Sequence, residues 1–509
     1  MMNTPSSKPP IALINPGELQ RQLAQLPTDD ASAALEEITA WLNACQLGEV
    51  SGNARLQIAH LLDGAAQPHI RTLTGQYLRT ARLSKNSENH LWTLLCGFWD
   101  KISRQYEICI EHGKRREKGA DTVRAELAQV VTRAIIARGQ VIKWKGIRYS
   151  PVDNDDWARL GAAYLLAEGE GFAKKPLLQM HAERGGVTSP FAEYLRVLIF
   201  QASSLDCLLP QEIELADRLI VYSQTEFVFS AEKTPQSVWW LDAAKAMPPT
   251  HLTDTAQTSA PTLRFFHPGK AQTRLNMLAQ EIEHSNVIPA RLGLETGEST
   301  QRLLSVIQHL ATCWTPVPPQ RQHTRHRVKH RMVVLPGFTN AFIMGSPEFG
   351  GKPLGLPQEI WITDNVSQGG FGAIVKEVKG DWLGVGALLT MQPGGEGNWL
   401  VGLVRRYQRI SEQEAQVGIE TLSRRITSVD VGPRASTLPP STPALWLQDD
   451  NPKGDIRFIL PLNTFDAGES LEFSYSGRRI ALAPVKRLEQ GSDYEIAAYR
   501  ATIAAPPKT

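Results

Sequence analysis

The stretch Arg321-Gln322-His323-Thr324-Arg325-His326-Arg327-Val328-Lys329-His330-Arg331 gathers cations just ahead of an apolar run. Two pairs of arginines stand four residues apart there, Arg321 with Arg325 and Arg327 with Arg331. In extended or loosely turned backbone, either pair can converge on one ligand. A guanidinium is planar, permanently charged and presents a fork of donors. That fork suits phosphate oxygens and also the O6/N7 edge of guanine, and its flat face can stack on a purine. A ligand carrying both guanines and phosphates would use all three properties.

A second group of polar residues lies downstream, at Asp364-Asn365-Val366-Ser367-Gln368-Gly369-Gly370-Phe371. The apolar run Ile360–Ile362 leads into it and Phe371–Val375 leads out, so it reads as a turn between strands. Asn365 and Ser367 are two apart and face the same side of extended backbone. Their short amide and hydroxyl can pair with a base edge. Gly369 and Gly370 allow the chain to turn and a ligand to approach the main chain.

A basic R-x-x-x-R, a strand, and then a D/N-x-S-x-x-G turn is a pattern that resembles the PilZ domain. Asn365-Val366-Ser367-Gln368-Gly369-Gly370 carries the second half. Trp399-Leu-Val-Gly-Leu-Val-Arg405-Arg406 and Val417-Gly418-Ile419-Glu420-Thr421-Leu422 resemble two later strands of that family. The likeness spans about residues 321–425. It implies a small antiparallel β-barrel that binds cyclic di-GMP, with arginines on guanine and phosphate and the Asn and Ser positions on a guanine. The residues it nominates are Arg321, Arg325, Arg327, Arg331, Asn365, Ser367, Gly369 and Gly370. Both arginine registers fit. Arg321/Arg325 is favoured because His326 to Leu335 then supplies the strand that follows the motif, at the cost of an insertion near 346–356. Asparagine at 365, where aspartate is more frequent in the family, offers a single carbonyl acceptor.

The elements that must position these residues divide the chain. An N-terminal segment, 1–15, is expected to be disordered, and 16–314 mostly helical. Leu91, Leu95, Phe98, Trp99, Ile102 and Tyr106 share one helical face, and Val123, Leu127, Val130, Val131 and Ala134 another. Ser189-Pro190 reads as a helix cap with a first-turn proline. Within this region Ile142–Tyr149 (IKWKGIRY) is expected to be a hairpin, and 247–262 a loop or linker. Thr315-Pro316-Val317-Pro318-Pro319 is a stiff break. Beyond it, short apolar runs predict strands at Met332–Leu335, Phe342–Met344, Ile360–Ile362, Phe371–Val375, Val385–Leu389, Trp399–Val404 and Val417–Leu422, making a barrel over 321–428. After a proline-rich stretch at 432–443, a C-terminal β module or barrel extension is expected over 444–505. The fold class is therefore multidomain: a large helical region, a small antiparallel barrel and further β structure.

Composition sets limits on function. The 509 residues hold 54 basic and 52 acidic side chains, a net charge of +2. That balance gives no broad positive field for nucleic acid, so any anion must be met by a local cluster. The start lacks the regions of a secretory signal and no apolar run is long enough to span a membrane. Five scattered cysteines without a C-x-x-C pair fit reduced thiols, and a cytoplasmic location is expected. His323, His326 and His330 suggest a metal, but neighbouring arginines repel a cation. Asp153-Asn154-Asp155-Asp156 has the look of calcium ligands yet lacks the glycine and terminal glutamate of an EF-hand loop, and reads better as an acidic helix start. Gly394-Gly395-Glu396-Gly397 lacks the Lys-Ser/Thr of a phosphate loop and reads as a hairpin turn. No catalytic motif is visible. The expectation is a non-enzymatic cyclic di-GMP receptor with no cofactor, its helical region transmitting output to a protein partner. The alternative is a structural adaptor whose degenerate barrel binds protein and no nucleotide. RNA or DNA binding by the Arg/His stretch is a third, weaker reading.

Overall fold

The computed structural model describes residues 15–27, 29–48, 50–79, 83–178, 186–252, 260–294, 297–315, 323–346, 355–394, 398–411, 413–434, 441–448 and 455–503. Two compact units emerge, residues 1–205 with 210–319, and residues 206–209 with 320–509. Among the described residues, no helix is long and apolar enough to cross a membrane.

The first unit is built on helices α1 (Pro16–Leu23), α2 (Ala31–Leu47), α3 (Gly52–Arg79), α4 (Lys85–Lys114), α5 (Asp121–Ala125), α6 (Leu127–Ile147) and α7 (Asn154–Gly169). A two-residue ribbon, β1 (Leu177–Leu178) with β2 (Val187–Thr188), precedes α8 (Pro190–Ala202) and α9 (Pro210–Ser223). Short polar side chains set the starts. Asp30 accepts from the Ser32 and Ala33 amides at 3.0 Å, and Ser189 accepts from Ala192 N at 3.1 Å ahead of Pro190. The acidic run at 153–156 forms a capping box that opens α7. The predicted apolar face of α4 is buried along its length, from Leu91 to Tyr106.

A small antiparallel sheet was not foreseen in this region. It orders β3 (Val228–Ser230), β6 (Leu263–His267), β4 (Trp239–Asp242) and β5 (Thr250–His251). Part of the expected loop at 247–262 is thus strand β5, while 253–259 lie outside the described residues. Helices α10 (Ala271–Ser285) and α11 (Thr300–Cys313) complete the unit.

The expected hairpin at Ile142–Tyr149 is instead the last part of α6 and the turn after it. Alternation of Ile142 and Trp144 with Lys143 and Lys145 mimics a strand, yet both sets are used by a helix. Lys143 Nζ pairs with Glu214 at 2.6 Å and Asp217 at 2.7 Å on α9. Lys145 Nζ reaches Asp153 and Asp156, both at 2.5 Å, at the start of α7. Gly146 lets the Phe200 ring of α8 approach, because a Cβ there would sit 3.1 Å from it. Charge pairing and close packing therefore override the local period.

Helix α6 is the ionic axis of this unit. Arg133 pairs with Asp63, which also accepts the Tyr106 hydroxyl at 2.8 Å, and Arg138 meets Asp100 and Asp156 at 2.9 Å and Glu107 at 3.1 Å. At Asp217, burial alone would raise the carboxyl pKa, but the Arg196 and Lys143 charges overcome that and hold it well below the usual carboxylate range. Asp217→Ala is expected to destabilise the helical unit by about 3–5 kcal/mol, the cost of leaving buried charges without their partner. Urea unfolding followed by far-UV circular dichroism measures it.

The second unit holds two closed barrels. Strands β7 (His326–Pro336), β8 (Glu359–Ser367), β9 (Gly370–Val375), β10 (Leu388–Pro393), β11 (Leu400–Arg409) and β12 (Ala415–Ser423) close in the order β10-β11-β12-β9-β8-β7. Strands β13 (Ile426–Pro433), β14 (Thr442–Leu447), β15 (Ile456–Leu460), β16 (Leu471–Tyr475), β17 (Arg478–Gln490) and β18 (Glu495–Ile503) close in the order β13-β14-β15-β18-β17-β16. The expected strand at Phe342–Met344 is instead the end of helix α12 (Gly337–Gly345). Gly337 turns the chain at φ +79° after Pro336, and Asp493 accepts the Phe338 amide at 2.9 Å, which starts a helix in place of a strand.

Helix α12 seals a core common to both barrels. Phe338, Leu388 and Leu403 of the first pack in one cluster with Leu445, Ile459 and Ile496 of the second. Arg405 fixes the pair at the surface, donating to Glu420 at 2.6 Å and to both oxygens of Glu489 at 2.5 and 2.8 Å.

Candidate ligand-binding site on the first barrel

Strand β7, with 11 residues, is longer than either of its neighbours. Its second half, Met332–Pro336, pairs with β10, whereas its first half pairs with β8 only. The residues from His326 to Arg331 therefore form a strip at the barrel margin, and Arg327, Lys329, His330 and Arg331 are exposed. In this register Arg327 lies directly opposite Asn365, and Arg331 opposite Ile362. An irregularity between Arg327 and His330 shifts the register by one residue, and a matching one occurs between Thr363 and Asn365 on the β8–β9 side. Such bulges re-aim side chains without ending the sheet. Arg325 stands one residue before β7 and is exposed. Arg321 lies outside the described residues. Among the described residues, neither Arg327 nor Arg331 has a carboxylate partner.

The Asn365 amide is folded onto β9. A Cβ built on Gly372, its cross-strand partner, would come within 2.4 Å of Asn365 Nδ2. That nitrogen donates to Asp364 Oδ2 at 3.1 Å. The carbonyl oxygen Oδ1 is buried and has no hydrogen-bond partner among the described residues. A buried acceptor left unpaired costs about 1–3 kcal/mol, which a ligand donor can recover.

Ser367 pairs with Gly370 to close the hairpin, and its hydroxyl donates to the Gly370 carbonyl at 3.3 Å. Gly370 is required by packing, since a Cβ there would fall 1.9 Å from the Ile419 carbonyl oxygen of β12. Gly369 lies 3.4 Å, measured from its absent Cβ, below the ring of His323, so the chain before β7 returns over this turn. Arg424 donates to the Gln368 carbonyl at 3.1 Å, adding a cation beside it.

The structure thus brings Arg327, Asn365, Ser367, Gly369 and Gly370 to one end of the barrel, with Arg331 further along the same strip. Residues that the sequence did not assign to this site are Gly372, Arg424 and His323, the last weighed there only as a metal candidate. Gly372 carried a readable signal, a glycine within a strand. Nothing local marked Arg424. Among the described residues, no group of three His, Cys, Asp or Glu could hold a metal ion.

Gly370→Ala is expected to force β9 away from β12 and to lower the stability of the barrel unit by about 1–3 kcal/mol, the range typical of overpacking. The shift in thermal unfolding midpoint checks it.

Residues 17–232 match the family described as the cyclic-di-GMP receptor FimW, N-terminal domain. No curated protein matches the chain.

Proposed function

We propose, from the likeness of residues 17–232 to the N-terminal domain of a cyclic-di-GMP receptor, that this chain is a non-enzymatic receptor for that messenger. In this reading the first barrel is PilZ-like and carries the ligand, and the helical unit passes the signal to a protein partner. A cytoplasmic setting suits five scattered thiols, none of them in a disulfide.

The observation that carries the reading is the placing of Arg327 against Asn365. A permanently charged donor fork without a carboxylate partner stands across one strand spacing from a buried acceptor that lacks a donor. Guanine offers the complement of both. Its O6 and N7 accept from guanidinium, and its N1 and N2 hydrogens suit an amide carbonyl. Rotation of the Asn365 amide off Gly372 would exchange an unpaired oxygen for a guanine hydrogen bond. Arg325 and Arg331, with Arg321 from the preceding segment, then meet the phosphates. In the helical unit, by contrast, Arg133, Arg138, Lys143 and Arg196 are each paired with carboxylates. They offer an anion nothing without breaking buried pairs.

Neutralisation of the basic strip is the proposed first step of the response. Its like charges repel when no anion is present, and a dianion neutralises them. Calorimetric titration of the full chain with cyclic di-GMP tests the reading. Wild type is expected to bind, and Arg327→Ala or Asn365→Ala to weaken binding by about 10- to 100-fold, the loss of about 1.5–3 kcal/mol from one charged hydrogen-bonding partner. Absence of binding by wild type contradicts the proposal and favours an adaptor with a nucleotide-free barrel.

A further inference from the structure

A single link after α11 would be enough to join the two units. The chain nevertheless crosses earlier as well. Residues 206–209 belong with the barrels, although Leu205 before them and Pro210 after them belong with the helices. The crossing lies in the short connection from α8 to α9. Within the barrel unit its anchor is an ion pair, Arg406 Nε of β11 with Asp206 Oδ2 at 3.0 Å. Arg406 is itself well seated. Its backbone pairs with Gly418 of β12, and it directly follows Arg405, which grips Glu489 of the second barrel.

The helical side of the connection is also fixed. Ser203 caps the end of α8 and is fully buried. Its hydroxyl donates to the Ile199 carbonyl at 2.7 Å and accepts from Trp314 Nε1 at 3.0 Å, while His309 Nε2 donates to its carbonyl at 2.9 Å. Trp314 caps α11, the helix after which the other link begins. Both routes out of the helical unit therefore leave from one hydrogen-bonded point. Ser204 then turns the chain at φ +48°, in the left-handed region that side chains disfavour. At the far end Pro210, with φ set by its ring, opens α9. Leu205 and Leu208 between them are buried. So short a connection, pinned at both ends and along its length, has little slack to absorb a displacement.

We propose that residues 203–209 form a strap through which the first barrel acts on the helical unit, with the Asp206–Arg406 pair as its anchor. The proposal rests on the reading of the chain as a cyclic di-GMP receptor and names the route by which its helices respond. The two helices that the strap joins are locked together. Arg196 of α8 grips Asp217 of α9, Nε to Oδ1 at 2.9 Å and Nη2 to Oδ2 at 2.6 Å. Lys143 of α6 adds its own pairs to Asp217 and Glu214. Buried ion pairs between rigid helices carry a displacement onward, so a pull on the strap reaches α6. The anchor is the contact best suited to change, because the Arg406 side chain is 57% exposed. A pair of this kind shifts an equilibrium by no more than about fivefold, about 1 kcal/mol. That lies at the lower end of the coupling found between sites that sense one another.

Hydrogen–deuterium exchange of the full chain, with and without saturating cyclic di-GMP, tests the strap beside calorimetric titration. In wild type the ligand is expected to change exchange in peptides within 190–223 by up to about fivefold. Arg406→Ala is expected to lose that change while keeping its fold and its cyclic di-GMP affinity within about fivefold of wild type. The charge-swapped pair Asp206→Arg with Arg406→Asp is expected to regain it, a recovery that mere loosening of a surface loop would not give. A change in 190–223 that persists in folded Arg406→Ala overturns the strap and leaves the receptor reading standing. So does a wild type that binds the ligand with no change in those peptides. No binding by wild type overturns both. Should Arg406→Ala fail to fold, Asp206→Asn decides on the same readout.

Discussion

The antiparallel register of β7 on β8 is the constraint on which the site depends. In a closed barrel a strand cannot slip without breaking its pairing on both sides. Met332–Pro336 is held by β10, and Arg331–Val334 by β8, with Met332, Val334 and Leu335 buried. The exposed first half of β7 follows on from that pairing through the one-residue shift between Arg327 and His330. Arg327 is therefore delivered to Asn365 by apolar residues several positions away, and the cations themselves contribute nothing to the alignment. Their mutual repulsion is tolerated because the strip is anchored elsewhere.

The same logic extends to the second barrel. The core shared through α12, the Asp493 contact to the Phe338 amide and the bidentate Arg405–Glu489 pair tie the two barrels into one unit. Arg405 is left out of the β11–β12 register, between Val404 and Arg406, and so is free to reach across to β17. The strand that carries Arg406 thus also holds the second barrel. The helical unit solves a different problem. Its long helix α6 buries cations and matches each with acids from neighbouring elements.

Much of the barrel was legible because its signals are local. Short apolar runs parted by glycine and proline mark β7, β8, β9, β11 and β12, and Asn365, Ser367 and the glycines after them announce a turn. What was not legible depends on partners distant in sequence. The IKWKGIRY stretch reads as a strand until Glu214, Asp217 and Phe200 are set beside it. Phe342–Met344 reads as a strand until Asp493 caps the helix that contains it. The pairing of Asp206 with Arg406 joins residues far apart in the chain, and no local period encodes it. That 444–505 would be β structure was visible, but the closure of its strands through β13 and β16 is a long-range fact.

The family likeness covers residues 17–232, within the helical unit, whereas the proposed ligand contacts lie on the first barrel. Hydrogen–deuterium exchange of the full chain, with and without cyclic di-GMP, separates the two most directly. The account predicts slower exchange on ligand addition in peptides spanning 323–331 and 364–373. Protection confined to residues 17–232, with the barrel peptides unchanged, would contradict it.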